Sequence, residues 1–118
     1  MYKNIELAID LKNCSREDGL AMLDVLNIFS GKWKMIIVCL LFDHDIRFSE
    51  IQRFIPSITR RTLSKELKEL ELNGIVKRTV VDANTVKYGS TESGMGLKEK
   101  IIGLVEWGVK HRQTAFAS

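Results

Sequence analysis

Six side chains in one short stretch carry the most pointed chemistry of this sequence: Arg60, Arg61, Thr62, Ser64, Lys65 and Lys68. Long cations and short hydroxyls are the groups that bond phosphate oxygens and base edges of a nucleic acid duplex. Arginine adds a planar fork that can bond guanine with two parallel donors, which lysine cannot match. Wound into a helix at ~100° per residue, Leu63, Leu67 and Leu70 make one stripe. Arg61, Lys65 and Lys68 then fall on the far side, with Ser64 flanking them and Arg60 and Thr62 in the first turn. Glu66, Glu69 and Glu71 fall on the sides or toward the C-terminal half, away from a groove approached N-terminus first. Ser49 and Thr59 add hydroxyls at two predicted helix starts, and Lys87, beside Asn84 and Thr85, adds a cation further on. Taken alone, the helix also reads as a solvated face of paired charges, since Lys65 and Glu69 are spaced i, i+4.

Composition narrows the classes. The 118 residues suit a single domain over the whole chain, 1–118, and 45% hydrophobic with 28% charged is enough to bury a core. The net charge of +3 is uneven: residues 46–90 hold nine Lys/Arg against five Asp/Glu, and residues 1–45 hold five against seven. An anionic partner would dock on the middle third. The sequence shows no Gly-rich phosphate loop, nucleophile elbow or paired carboxylate set, so no catalytic residue is assigned. His44 and His111 lack partners at metal-ligand spacing, and neither a metal nor a cofactor is implied. Two cysteines, Cys14 and Cys39, are too few for a disulfide scaffold. No apolar run approaches the ~18 residues of a membrane span, and the first residues lack a signal peptide's apolar block. The expectation is a cytoplasmic protein with no membrane partner.

The elements that must position the cations follow from periodicity and caps. Ile5, Leu7, Ile9 and Leu11 alternate with polar residues and predict an extended arm. Ser15 and Asp18 signal a helix start, and Leu20, Leu23, Leu26 and Phe29 continue it to about Ile28. The nearly continuous apolar run from Lys32 to Phe42 predicts a central helix buried on most sides, with Cys39 as a structural residue inside it. Ile46 to Phe48 suggests a small strand. Ser49 and Gln52 predict a capping box for a short helix that carries Ile51, Phe54 and Ile55 inward, ended by Pro56. Thr59 caps the cationic helix, Ile58 and Leu63 are placed as a hydrophobic staple, and Asn73-Gly74 stops it. Residues 75–81 and 85–90 form two strands around a turn at Asp82-Ala83-Asn84. Thr91 caps a long last helix to about Arg112, weakened at Gly94 and Gly96. The order predicts a mainly α fold with a small β-hairpin, a winged helix-turn-helix.

Several short motifs appear in series. Ser30-Gly31-Lys32-Trp33 and Arg47-Phe48-Ser49-Glu50-Ile51 resemble the G-G-K-W and R-F-x-E-L motifs of the HxlR family. Pro56-x-Ile58-Thr59, Leu63-Ser64-x-x-Leu67-x-x-Leu70 and Asn73-Gly74-Ile75-Val76-x-Arg78 continue the likeness, as do Tyr88-x-x-Thr91-Glu92-x-Gly94 and Trp107-Gly108. This resemblance, over about residues 30–110, implies a dimeric winged-helix regulator related in architecture to the MarR type, with the helix after Thr59 as its recognition helix. Some members sense oxidants or electrophiles through an N-terminal cysteine, which makes Cys14 a redox candidate.

The last helix carries more apolar surface than one contact needs. Leu97, Ile101, Leu104 and Gly108 form one stripe, with Val105 and Trp107 beside it, and the surplus predicts the same helix of a second chain as partner. A two-fold dimer places two recognition helices about one DNA turn (~34 Å) apart and implies a palindromic operator of double-stranded DNA. The rival is a winged-helix module for protein–protein contact, which would lack a steep salt dependence of DNA binding. Operator, target genes and any small-molecule effector are not readable from the sequence.

Overall fold

The computed structural model describes residues 16–115, so the predicted arm, the Ser15 cap and Cys14 lie outside the described residues. Helix α1 (Arg16–Ile28) is followed by α2 (Lys34–Leu40), β1 (Ile46–Arg47), α3 (Phe48–Phe54) and α4 (Arg60–Leu72). Strands β2 (Val76–Asp82) and β3 (Thr85–Ser90) come next, then α5 (Glu92–Met95) and α6 (Lys98–Ala115). The fold is the expected winged helix-turn-helix. The hairpin gains a third strand: β1 pairs antiparallel with β3, giving the order β1-β3-β2. The tie brings Arg47 opposite Lys87 and Ile46 opposite Tyr88, while across β2 and β3 Thr79 faces Lys87 and Arg78 faces Tyr88.

One core holds these elements. Ile37, Val38 and Leu41 meet Ile51, Ile55 and Ile58, the stripe Leu63, Leu67 and Leu70, the strand residues Ile46, Ile75 and Val76, and Ile101 from the last helix. Helix α4 forms as its signals dictate. The Thr59 hydroxyl accepts from the Thr62 N–H at 3.1 Å, satisfying an orphan donor of the first turn. At the other end Gly74 takes φ 76°, Ile75 N–H donates to Leu70 O at 3.0 Å, and Gly74 N–H donates to Glu71 O at 3.0 Å. This paired closure satisfies the terminal carbonyls and turns the chain sharply into β2.

Four expectations are corrected. The central helix is shorter than Lys32 to Phe42, and it is buried on one side only, since Ile36 is 44% exposed and Cys39 is also exposed. Helix α3 starts at Phe48, not after Ser49: the Glu50 carboxylate accepts from the Arg47 N–H at 3.2 Å, a bond that places the start one residue before Ser49. Phe54 points outward at 63% exposure, because Ile51 and Ile55 already fill the inner side of so short a helix. The last helix is broken after Met95, at the two glycines that weaken it. Gly94 is also fixed by contact: a Cβ there would meet the Ile75 carbonyl oxygen at 2.3 Å, so only glycine permits this approach of α5 to the start of the hairpin. Thr91 closes the same joint. Its hydroxyl accepts from Gly94 N–H at 2.9 Å and donates to Gly74 O at 2.6 Å.

Candidate nucleic-acid interface

The leucine stripe of α4 is fully covered, with Leu63 and Leu70 at 0% and Leu67 at 1% exposure. With that side anchored, Arg60, Arg61, Ser64, Lys65 and Lys68 all lie exposed on the helix. Thr62 is half-buried and its hydroxyl oxygen accepts from the Thr59 hydroxyl at 2.9 Å, so these two residues order the first turn and have less to offer outside it.

Between α4 and the hairpin runs a two-part groove. One part, about 330 Å³, is lined by Phe48, Arg60, Arg61, Ser64 and Tyr88. The other, about 340 Å³, is lined by Arg47, Phe48, Ser49, Arg60, Asn84, Thr85 and Val86. Phe48 and Arg60 belong to both, and the Arg60 guanidinium lies 5.2 Å from the Phe48 ring centroid. This cation–π contact holds a long side chain over the groove while its donors stay available. The structure thus brings Ser49, Arg60, Arg61 and Ser64 together and spreads Lys65 and Lys68 further along α4. Lys87 is half-buried on β3, opposite Arg47. The hairpin turn is ordered by Asp82, whose carboxylate accepts from the Asn84 N–H at 2.9 Å. That bond first, then the Thr85 hydroxyl and the Arg47 charge, holds the Asp82 carboxyl below its usual range.

Arg47 and Phe48 are functional candidates the periodicity did not single out. Their signal was the R-F pair itself, a cation next to an aromatic at a helix start. The acidic residues also differ from expectation. Glu66 is not at the side of α4 but buried at 8% exposure, facing Lys34, which is buried at 3%. The Lys34 ammonium lies 2.8 Å from Glu66 Oε2, close but without hydrogen-bond alignment, and donates to Glu69 Oε2 at 2.5 Å. Glu69 is therefore engaged by Lys34 from α2 rather than by Lys65 four residues earlier. Burial works against the Lys34 ammonium, but the two carboxylates outweigh it and raise its pKa. Glu69 is held below the ordinary glutamate range, chiefly by the Lys34 hydrogen bond.

The residues expected at a partner surface divide. Leu104 (57%), Val105 (59%) and Trp107 (64%) are exposed, and the Trp107 ring stacks on His111 at 4.8 Å between centroids. Gly108 is intermediate. Ile101, at 4%, belongs to the core of its own chain, and Leu97 packs partly against that core, so both have little area left for a second chain. Cys39 does not lie inside the core. It lines an apolar groove of about 560 Å³ with Phe29, Met35, Ile36, Leu40 and Val105. Partial burial raises its thiol pKa. Among the described residues no group of three His, Cys, Asp or Glu side chains is placed to hold a metal ion, and no helix is long and apolar enough to cross a membrane.

Known proteins share this fold and much of this sequence. Residues 28–116 match the model of the HxlR-like helix-turn-helix family. A protein of Methanothermobacter thermautotrophicus, named as an uncharacterized HTH-type transcriptional regulator, is 42% identical over 109 residues, covering 91% of this chain and 79% of its own. Among solved structures, the reduced form of the redox regulator HypR superposes with a TM-score of 0.75 at 36% identity, over 83% of this chain and 99% of that one. The reduced form of the transcriptional regulator YodB from B. subtilis gives a TM-score of 0.70 at 32% identity, over 80% and 91% of the two chains.

Proposed function

The chain belongs to the HxlR-like helix-turn-helix family and is a transcriptional regulator of that kind, and from that premise we propose that it reads duplex DNA sequence-specifically with α4 in the major groove. The carrying observation is the outer face of α4. Arg60, Arg61, Ser64, Lys65 and Lys68 stand exposed over a leucine stripe that is fully buried beneath them. Arg61 is the candidate for bidentate base contact, and Lys65 and Lys68 for phosphate. Arg47 and Ser49 line the groove on the hairpin side, and Lys87, paired with Arg47 across β1 and β3 but outside the groove lining, is the wing's candidate for the sugar-phosphate backbone. Steep weakening of binding with salt, measured on duplexes selected from a random pool, tests this reading against a protein–protein module. Indifference to salt would favour the module.

The active form in this reading is a two-fold dimer joined through Leu104, Val105 and Trp107 of α6 and the apolar residues of α1. Leu20, Met22, Val25 and Leu26 of α1 are 44–52% exposed, which supports a cover supplied by a second chain. The operator is then a palindrome with half-sites about one helical turn apart.

A redox input is a second reading, favoured by the likeness to the redox regulator HypR. Cys14 is the candidate sensor. Partial burial raises the Cys39 thiol pKa, which leaves it less thiolate than an ordinary cysteine. Diamide treatment of wild type and Cys14→Ser separates the outcomes. Loss of the oxidant response in the variant supports Cys14, and an unchanged response removes it.

A further inference from the structure

The Lys34 cluster borders the reading face of α4, and its bearing on that face rests on α4 reading DNA as proposed above. Lys34 belongs to α2, yet its ammonium engages two carboxylates of α4. Glu66 lies among buried residues of that helix, but the Glu69 side chain is 39% exposed and borders the outer face. Lys65 precedes Glu69 by four residues, and its charge already acts, after the Lys34 hydrogen bond and the Lys34 charge, on the Glu69 carboxylate. A helix offers such a pair an ion contact of its own. Any lysine so paired is withdrawn from phosphate, and the unneutralised carboxylate beside it repels the duplex.

We propose that Lys34 is a positioning residue for DNA recognition: it draws Glu69 and Glu66 to the inner side of α4, so that Lys65 meets phosphate rather than a carboxylate of its own helix. The arrangement also explains how a helix with three glutamates among its thirteen residues can present a cationic surface. Two of the three face Lys34. Glu71, the third, is exposed near the C-terminal end, distant from an N-terminal-first docking.

The test is a cycle on Lys34 and Glu69, read by affinity for a selected duplex and by the slope of log affinity against log salt. Lys34→Met is expected to weaken binding about tenfold at low salt and to flatten the slope by about 0.9, the loss of one phosphate contact. Adding Glu69→Gln to that variant restores both, whereas Glu69→Gln alone changes binding less than about twofold, because Lys34 already neutralises the carboxylate. A purely structural role would lower the folded fraction without moving the salt slope. Should Lys34→Met fail to fold, Lys34→Met/Glu66→Gln removes the deeply buried carboxylate and leaves Glu69 as the freed charge. Its comparison with the triple variant that adds Glu69→Gln reads the same quantity. An unchanged slope in the Lys34 variant, or no recovery on adding Glu69→Gln, overturns the proposal. If wild type itself shows no salt-dependent DNA binding, the reading it rests on fails instead.

Discussion

Helices α4 and α6 use their apolar residues in opposite ways. Helix α4 has 13 residues, and its leucine stripe is covered entirely by its own chain; Leu72 is the large apolar residue it leaves exposed. Helix α6 has 18 residues and buries only Ile101 among those described, leaving Ile102, Leu104, Val105, Trp107 and Val109 between 41% and 64% exposed. A helix whose hydrophobic side is satisfied at home can dedicate its outer face to polar chemistry. A helix with apolar residues over several sides has hydrophobic area that a single chain does not remove from water. One helix therefore keeps a polar outer face free and the other keeps apolar area uncovered, which is the division of labour the proposed reading needs: α4 for the duplex, α6 for its counterpart in a second chain.

Mutations on the two helices should fail in different assays. Leu67→Ala in α4 is expected to cost about 2–5 kcal/mol of folding stability, read from urea unfolding, because it opens a cavity in the core. Leu104→Ala in α6, measured on dilute protein, should stay within about 0.5 kcal/mol; equal costs at the two sites would erase the contrast. Trp107→Ala should weaken self-association by about 2 kcal/mol or more, as a large aromatic anchor does, and sedimentation equilibrium would detect the shift. An unchanged mass distribution would remove α6 as the partner surface. Arg61→Ala should cost about 1–3 kcal/mol of specific DNA binding and relax base preference, with melting and mass unaltered. If Arg61→Ala and Lys65→Ala together leave operator affinity intact, the outer face of α4 is not the reading surface.

The smallest effect concerns acid. The Glu69 pKa is depressed in the fold, chiefly by the Lys34 hydrogen bond, so its stabilising contribution is present above the ordinary glutamate pKa of ~4.3 and fades as pH falls below it. Partial exposure screens this contribution to well under about 1 kcal/mol. Comparing the urea midpoints of wild type and Glu69→Gln at pH 6 and pH 3 should show a slightly shallower loss in the variant. A decline as steep as wild type would show that Glu69 is not the group titrating.

Helix α4 was legible from its residues because its determinants are local. A threonine cap, leucines at helical spacing and Asn73-Gly74 lie close together along the chain. The burial of Glu66 was not legible, because its partner Lys34 comes from another helix and glutamate is ordinarily a surface residue. The run around Ile36 and Cys39 misled for a different reason. A stretch apolar on all sides can be core throughout, or can divide between the core and an open apolar face, and periodicity does not separate these. The groove shared by Phe48 and Arg60 was half visible: the R-F pair was recognisable as a motif, but its position between wing and helix depends on β1 joining β3, a pairing of two residues only.

The joint at Gly74, Ile75 and Thr91 has a consequence for how such proteins diversify. Thr91 N–H donates to Ile75 O at 3.1 Å and its hydroxyl donates to Gly74 O, so the hairpin is a loop stitched shut at its base. Lengthening a closed loop costs only about 0.6 kcal/mol per doubling. Insertions or deletions beyond the stitch can therefore alter the reach of the tip while the helices on either side keep their places. Wing length is thereby uncoupled from the scaffold, so the tip can be extended or trimmed while the packing of the helices stays as it is.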